Sequence, residues 1–359
     1  MSDIQRWVRP EVLKLSAYHV PESVGMVKLD AMENPYLLPS ELQAKVGQLA
    51  AEAWLNRYPD PHAKALKQRL RTVFEIPANQ DLILGNGSDE LIQLLALTLA
   101  KPGAMLLGVE PSFVMYRMVA QSVGMQYLGI PLQESDFSLD LPALLAAITT
   151  HQPALIFLAY PNNPTGNAFT RADIEQILAV SEGLVVIDEA YHAFAQDSFL
   201  PQLAEYPNLL VMRTVSKLGL AGLRLGFLAG NPSWLHEIDK LRLPYNINVL
   251  TQTVAEFVLS HHEILDQQAA QLRHERTKLF DTLQDMAHVV AYPSDANFIL
   301  LRVPQADLVH QRLLQQQILV KNLHHAHPLL HDCLRVTVST PEENAQFIHA
   351  LQKSLLGKS

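Results

Sequence analysis

ALIFLAYPNNPTGNAFTRADIEQILAVSEGLVVIDEA, residues 154–190, holds an apolar run, a proline-rich loop, a helical pattern and a second apolar run. The runs ALIFLAY (154–160) and LVVIDEA (184–190) are short and show no alternation of polar and apolar positions. Strands buried on both faces read this way. RADIEQILAVSE, between them, has the pattern of a helix. The order strand, helix, strand describes a parallel pair joined by a crossover.

The same alternation extends outward in both directions. LILG (82–85), AMLLGV (104–109), MQYLGIPL (125–132), LLVMRT (209–214) and LRLGFLAG (223–230) bring the apolar runs to seven. Helix-like segments such as SDELIQLLALTLA and LPALLAAITTH lie between several of them. An α/β fold follows, with a mostly parallel seven-stranded sheet between helices. From about 250 to 288 the pattern is long and helical. NFILLRV (297–303), ILVKNL (318–323), CLRVTVST (333–340) and a closing helix from Pro341 then suggest a smaller α+β unit. The expected division is a large domain over 31–247 and a small one from 1–30 and 248–359, joined through a long helix starting near 250.

Composition bounds the function. With 48% hydrophobic and 18% charged residues, the chain is globular, and 359 residues suffice for about two domains. A formal net charge of −9 argues against bulk nucleic-acid binding, though a site can be locally basic on an acidic protein. One cysteine, Cys333, excludes an internal disulfide framework. No apolar run reaches the roughly 18 residues of a membrane helix, and the first residues lack a signal-peptide core. The expected setting is the cytoplasm.

The residues that carry chemistry fall just after the apolar runs, where open parallel sheets bind ligands. In RTVSKLGLAGLRLGF (213–227), Lys217 sits among small and apolar residues with no acid nearby in sequence. A buried lysine is costly unless its charge is removed or paired, and making the amine a covalent imine removes it. Asp188 ends a buried strand, where it could face a cationic ring nitrogen; a helix cap or a structural ion pair would place it there as well. Gly87, Ser88 and Asp89, in LILGNGSDELIQLL, open a helix whose N–H groups suit a phosphate. A plain Ser/Asp cap also explains them, and no Walker lysine is present. Phe113 could lie against a flat ring or in the core; Tyr58, in LNRYPD, sits in a proline-flanked loop. Read together, these pieces ask for a ligand with a phosphate, an aromatic nitrogen heterocycle and a carbonyl that traps an amine. Pyridoxal 5'-phosphate has all three.

With Asn163, Asp188, Tyr191, Lys217 and Arg224 in this order, the chain resembles the fold-type I pyridoxal-phosphate aminotransferases of the aspartate aminotransferase superfamily. VKLDAMENPY, LNRYPDP, GNGSDELI, YPNNPTG, VVIDEAY, RTVSKLGLAGLRLG, PYNIN and LRVTVSTPEEN make it similar, more narrowly, to the histidinol-phosphate aminotransferases. The resemblance implies Lys217 as Schiff-base lysine and proton carrier, with Asp188 on the pyridinium nitrogen. Asn163 and Tyr191 would bond the cofactor's phenolic oxygen, and Phe113 would stack on its ring. Gly87, Ser88, Asp89, Thr214, Ser216 and Arg224 would hold the phosphate, and Tyr58 would reach it from the partner of a homodimer. Arg335 would bind the substrate's anionic end, with Lys321, Tyr18 and Asn34 near the substrate. The implied reaction is reversible amino transfer between L-histidinol phosphate and 2-oxoglutarate, giving imidazole-acetol phosphate and L-glutamate, in histidine biosynthesis. An aromatic amino-acid aminotransferase and a threonine-phosphate decarboxylase share the implied fold. Lys321 stands where relatives often have arginine, the spacer from Lys217 to Arg224 is one residue shorter than in some, and MENPY replaces NENPY. His324, His325, His327, His331 and Cys333 lack the paired spacing of a zinc site, so no metal is expected.

Overall fold

The computed structural model describes residues 4–17 and 21–356; Tyr18 lies outside them. Seven strands form the larger sheet. In chain order the strands of the molecule are β1 (Val27–Leu29), β2 (Asp81–Gly85), β3 (Met105–Glu110), β4 (Gln126–Pro131), β5 (Leu155–Ala159), β6 (Leu184–Asp188), β7 (Leu209–Thr214) and β8 (Gly226–Gly230), then β9 (Val290–Ala291), β10 (Phe298–Arg302), β11 (Ile318–Asn322) and β12 (Cys333–Thr337). The larger sheet runs β2-β8-β7-β6-β5-β3-β4, parallel from β7 to β4 and antiparallel only where β8 pairs with β2 and β7. Along β5, Ile156 and Leu158 enter one core while Leu155, Phe157 and Ala159 enter the core on the opposite face. Burial on both faces is why the strand reads as an unbroken apolar run.

The helices are α1 (Pro10–Leu13), α2 (Ser40–Glu52), α3 (Lys64–Val73), α4 (Ser88–Leu99), α5 (Met115–Val123), α6 (Leu141–His151), α7 (Arg171–Val180), α8 (Pro232–Asp239), α9 (Val249–Leu259), α10 (His262–Gln284), α11 (Ala306–Gln315) and α12 (Pro341–Leu355). Several starts are capped by a side chain accepting from a backbone N–H: Asp140 at α6, Thr170 at α7, Asn248 at α9 and Thr340 at α12. The stretch read as one long helix is two. After α9 the chain breaks at Ser260 and His261, and α10 starts at His262. The reason is packing: α9 lies on α2 and α3 with Val254, Ala255 and Val258 in the larger sheet's core, while α10 gives Ala269, Leu272 and Leu279 to the smaller one.

The smaller sheet runs β1-β11-β12-β10-β9. Val27–Leu29 pair in parallel with β11, so a strand from the first 30 residues joins strands from the last 45. One face of this sheet packs under α10, α11 and α12 through Leu29, Val320, Leu334 and Val336. The alternate residues, among them Lys321 and Arg335, point the other way and line a cavity against the larger unit.

Candidate active site

The carboxyl ends of the parallel strands converge on a cavity of about 120 Å³. Each strand delivers a different group to its wall. Phe113 follows β3, Asn163 follows β5, Asp188 ends β6, Tyr191 follows it, Thr214 ends β7, and Ser216 and Lys217 open the turn after β7. Ser88 and Asp89, the first residues of α4, and Arg224 close the opposite end.

Lys217 stands on a single π turn, Ser216–Leu220, in which Gly219 takes a φ of 134°, a conformation glycine adopts freely. Its ammonium donates to the Ala31 carbonyl at 2.8 Å. Burial, and then the nearby Arg335, push its pKa down to about 8, so the amine can give up its proton close to neutral pH. Asn34 lies on the far side of this turn, outside both cavities. Its amide donates to the Leu218 carbonyl at 3.0 Å and to Gln268 Oε1 at 2.9 Å, bracing the loop that carries the lysine.

Asp188 is buried, and burial raises its pKa to about 6. Two bonds favour the ionised form against that pressure: the Tyr116 hydroxyl donates to Oδ2 at 2.6 Å and the Ala190 N–H to Oδ1 at 3.1 Å. Glu189, the second acid of the pair, turns away into the structure. It accepts from Arg213 Nη2 at 2.7 Å and from the Phe199 N–H at 2.6 Å, a buried pair with its hydrogen bonds made.

At the other end Arg224 lies 3.6 Å from Asp89. Gly87 precedes α4 with a φ of 82°, and a Cβ there would come 2.6 Å from Arg224 Nη2. Only a glycine lets the guanidinium lie against the start of the helix. Thr214 and Ser216 share a hydroxyl bond of 2.8 Å beside it. A helix N-terminus, a guanidinium and two hydroxyls form an anion cradle. A buried acid and a buried amine face the same cavity. This donor set fits pyridoxal phosphate: anion at the cradle, ring nitrogen at Asp188, carbonyl at Lys217, ring face at Phe113.

A second cavity of about 340 Å³ adjoins the first, sharing Met32, Phe113 and Asn163 with it. Lys321 and Arg335 line it. Arg335 donates to Asn163 Oδ1 and, at 2.8 Å, to the Asp30 carbonyl. Tyr58 lies elsewhere. It is 80% exposed and stacks on Tyr245 with ring centroids 4.4 Å apart, facing outward.

Some lining residues went unmarked in the sequence. Tyr116 could have been found, since it follows Phe113 by one helical turn in VEPSFVMY. Glu110, Arg117, Tyr127 and His327 line the wider cavity and belong to no motif. In the histidine tract, His324 Nδ1 accepts from the Asp332 N–H at 3.0 Å and His325 meets Asp307 at 3.0 Å. Among the described residues, Asp307, His324 and His325, and likewise His324, His331 and Asp332, lie close enough to meet one ion.

Comparison with known proteins adds the following. The family model described as aminotransferase class I and II matches residues 24–351. The chain is 57% identical to histidinol-phosphate aminotransferase 1 of Ralstonia nicotianae, over 98% of this chain and 95% of that one. It is 52% identical to the histidinol-phosphate aminotransferase of Chromobacterium violaceum, over 98% of each. In fold it is similar to the Sinorhizobium meliloti histidinol-phosphate aminotransferase solved with pyridoxal-5'-phosphate, with a TM-score of 0.86 and 23% identity over 98% of each chain.

Proposed function

The chain belongs to the aminotransferase class I and II family, and from that premise we propose that it is a pyridoxal-phosphate enzyme. It transfers an amino group reversibly between L-histidinol phosphate and 2-oxoglutarate, giving imidazole-acetol phosphate and L-glutamate in histidine biosynthesis. Identity of 57% over 98% of the chain to a relative of that activity carries the substrate assignment. The paired cavities support it: one suited to the cofactor, the next opening onto Lys321 and Arg335.

When bound, pyridoxal phosphate supplies a carbonyl that holds the amino group and a ring that takes up the electron pair of a broken C–H bond. The protein's part is to hold, orient and move protons. Arg224, Ser88, Asp89, Thr214 and Ser216 hold the phosphate with Gly87 leaving room. Asp188, ionised, would keep a ring nitrogen protonated, and Phe113 would lie against the ring face and fix its orientation. Asn163 and Tyr191 hold the phenolic oxygen. Lys217 would carry the cofactor's carbonyl as an imine in the resting enzyme and would hold and move the proton at the amino-bearing carbon of the substrate. Arg335 and Lys321 take the anionic end, a phosphate in one half-reaction and a carboxylate in the other. Asn34 acts by fixing the Lys217 turn.

A homodimer belongs to this proposal. Trp54, Leu55, Tyr58, Leu243 and Tyr245 are exposed on one chain, and large apolar residues exposed together mark an interaction surface. Tyr58 would cross it to the partner's cofactor phosphate. The proposed setting is the cytoplasm; no described helix is long and apolar enough to cross a membrane.

The test is the visible spectrum of the cofactor-loaded protein mixed with histidinol phosphate and no keto acid. Conversion to the amine form of the cofactor, at concentrations where phenylalanine and threonine phosphate do little, supports the assignment. Response to one of those amines alone overturns the substrate. Arg335→Ala should weaken histidinol phosphate capture by 100-fold or more, on the order of a lost charge-assisted bidentate contact. Cofactor affinity should change far less.

A further inference from the structure

We propose that Asp30 sets how strongly this site prefers a dianionic phosphate over a carboxylate, as the counter-charge to Lys321 and Arg335. The inference rests on the reading of those two cations as the substrate-anion pocket.

Register brings the three residues level. Leu29 stands opposite Val320 in the parallel pair of β1 and β11, so Asp30, one residue on, comes alongside Lys321. Lys321 is opposite Arg335 across β11 and β12. Because side chains alternate along a strand, the face is settled by the neighbours. Leu29, Val320, Leu334 and Val336 enter the small core. Asp30, Lys321 and Arg335 therefore share the other face; the two cations line the cavity there, and Asp30 is buried beside them, outside its lining.

Asp30 is 8% exposed, and its Oδ1 accepts no hydrogen bond. The nearest cation outside the row is Lys28, with Nζ at 3.5 Å, but that ammonium also donates to Glu33 at 2.6 Å. Asp30 still bears on the row: its backbone carbonyl accepts from Arg335 Nη2 at 2.8 Å, and burial and Arg335 lower the Lys321 pKa while Asp30 opposes them. One acid and two bases give the row a net charge of +1. Such a row attracts either substrate without letting a dianion swamp a monoanion.

Coulomb energy is linear in the charge of the ligand. If Asp30→Asn removes one negative charge at nearly constant shape, a bound monoanion tightens by some factor and a dianion by its square. The factor is on the order of three to five for a monoanion, and roughly tenfold or more for a dianion, at low ionic strength. Inorganic phosphate and acetate are the probes. Their inhibition constants at pH 8 are measured on the cofactor-loaded protein, in competition with whichever amine converts the cofactor. Asp30→Asn should tighten phosphate more than acetate, and Lys28→Gln, which strengthens the net field of Asp30, should loosen phosphate more than acetate. Equal shifts for both anions, no shift, or weaker binding of both in Asp30→Asn would overturn the proposal and leave Asp30 a structural acid. A wild-type protein whose spectrum ignores histidinol phosphate sinks the substrate assignment instead, and the phosphate-to-acetate comparison still decides Asp30.

Discussion

Lys217 carries its cost visibly. Its pKa is lowered to about 8 by burial, against 10.5 for the free side chain. Below about pH 8 both folded and unfolded chains hold the proton, and the folded one bears a buried charge at full cost. Between about 8 and 10.5 only the unfolded chain binds it, so stability rises with pH across that window. Lys217→Met should therefore raise the melting temperature of the cofactor-free protein at pH 7, by several degrees. The gain should shrink toward zero near pH 10.5, as followed by calorimetry. Tyr116 makes the opposite kind of contribution. Its hydroxyl bond helps keep Asp188 ionised, so Tyr116→Phe should lift that carboxyl above about 6 and weaken pyridoxal phosphate binding by about tenfold. The loss should widen as pH falls from 8 to 6, because more of the acid is then protonated. Fluorescence titration with cofactor at several pH values measures this. A pH-independent loss would mean that the tyrosine matters only by packing.

At the scale of elements, the turn before α4 is the sharpest case. Gly87→Ala forces a side chain into a φ of 82° and into Arg224 Nη2 at 2.6 Å. Cofactor affinity should fall by tenfold or more, with a smaller loss of stability, since Arg224 is half exposed and can move away. Comparing cofactor titration with thermal melts separates the two effects. The same element shows what could be read from the chain. All seven strands of the larger sheet lie within the apolar runs or one residue beyond them; in the inner strands burial on both faces writes hydrophobicity into nearly every position, while the edge strand β4 is only half-buried. β1 and β9, of three and two residues, are too short to carry a period. The break between α9 and α10 escaped notice because Ser260 and His261 interrupt the helix without glycine or proline. Lys217, Asp188 and Asn163 were legible because each follows a recognisable strand. Glu110, Arg117 and His327 were not, since nothing local marks residues that meet only when a loop near 327 folds against β3.

For the whole molecule, the proposed dimer makes a quantitative statement. If Tyr58 serves the partner's site, mixing Lys217→Ala with Tyr58→Ala subunits yields hybrids in which one site carries both defects and the other neither. Random reassortment should restore about a quarter of the wild-type activity from two nearly inactive parents. Activity that stays at the parental sum after reassortment, confirmed by sedimentation, would place Tyr58 outside the partner's site.

Both cavities rest on the unit of the seven-stranded sheet, and only the wider one adds residues from the strands of the smaller sheet. The proposed cofactor side is built mostly on the seven-stranded sheet, and the proposed anion pocket takes Lys321 and Arg335 from the five-stranded one. A change of taste in such a chain needs no change of chemistry. Substitutions on β11 and β12 can retune the wider cavity while Lys217 and Asp188, proposed to carry the chemistry, stay untouched. The reading head is thus shared: the smaller sheet carries its two cations, and Glu110, Arg117 and Tyr127 of the larger unit carry the facing wall.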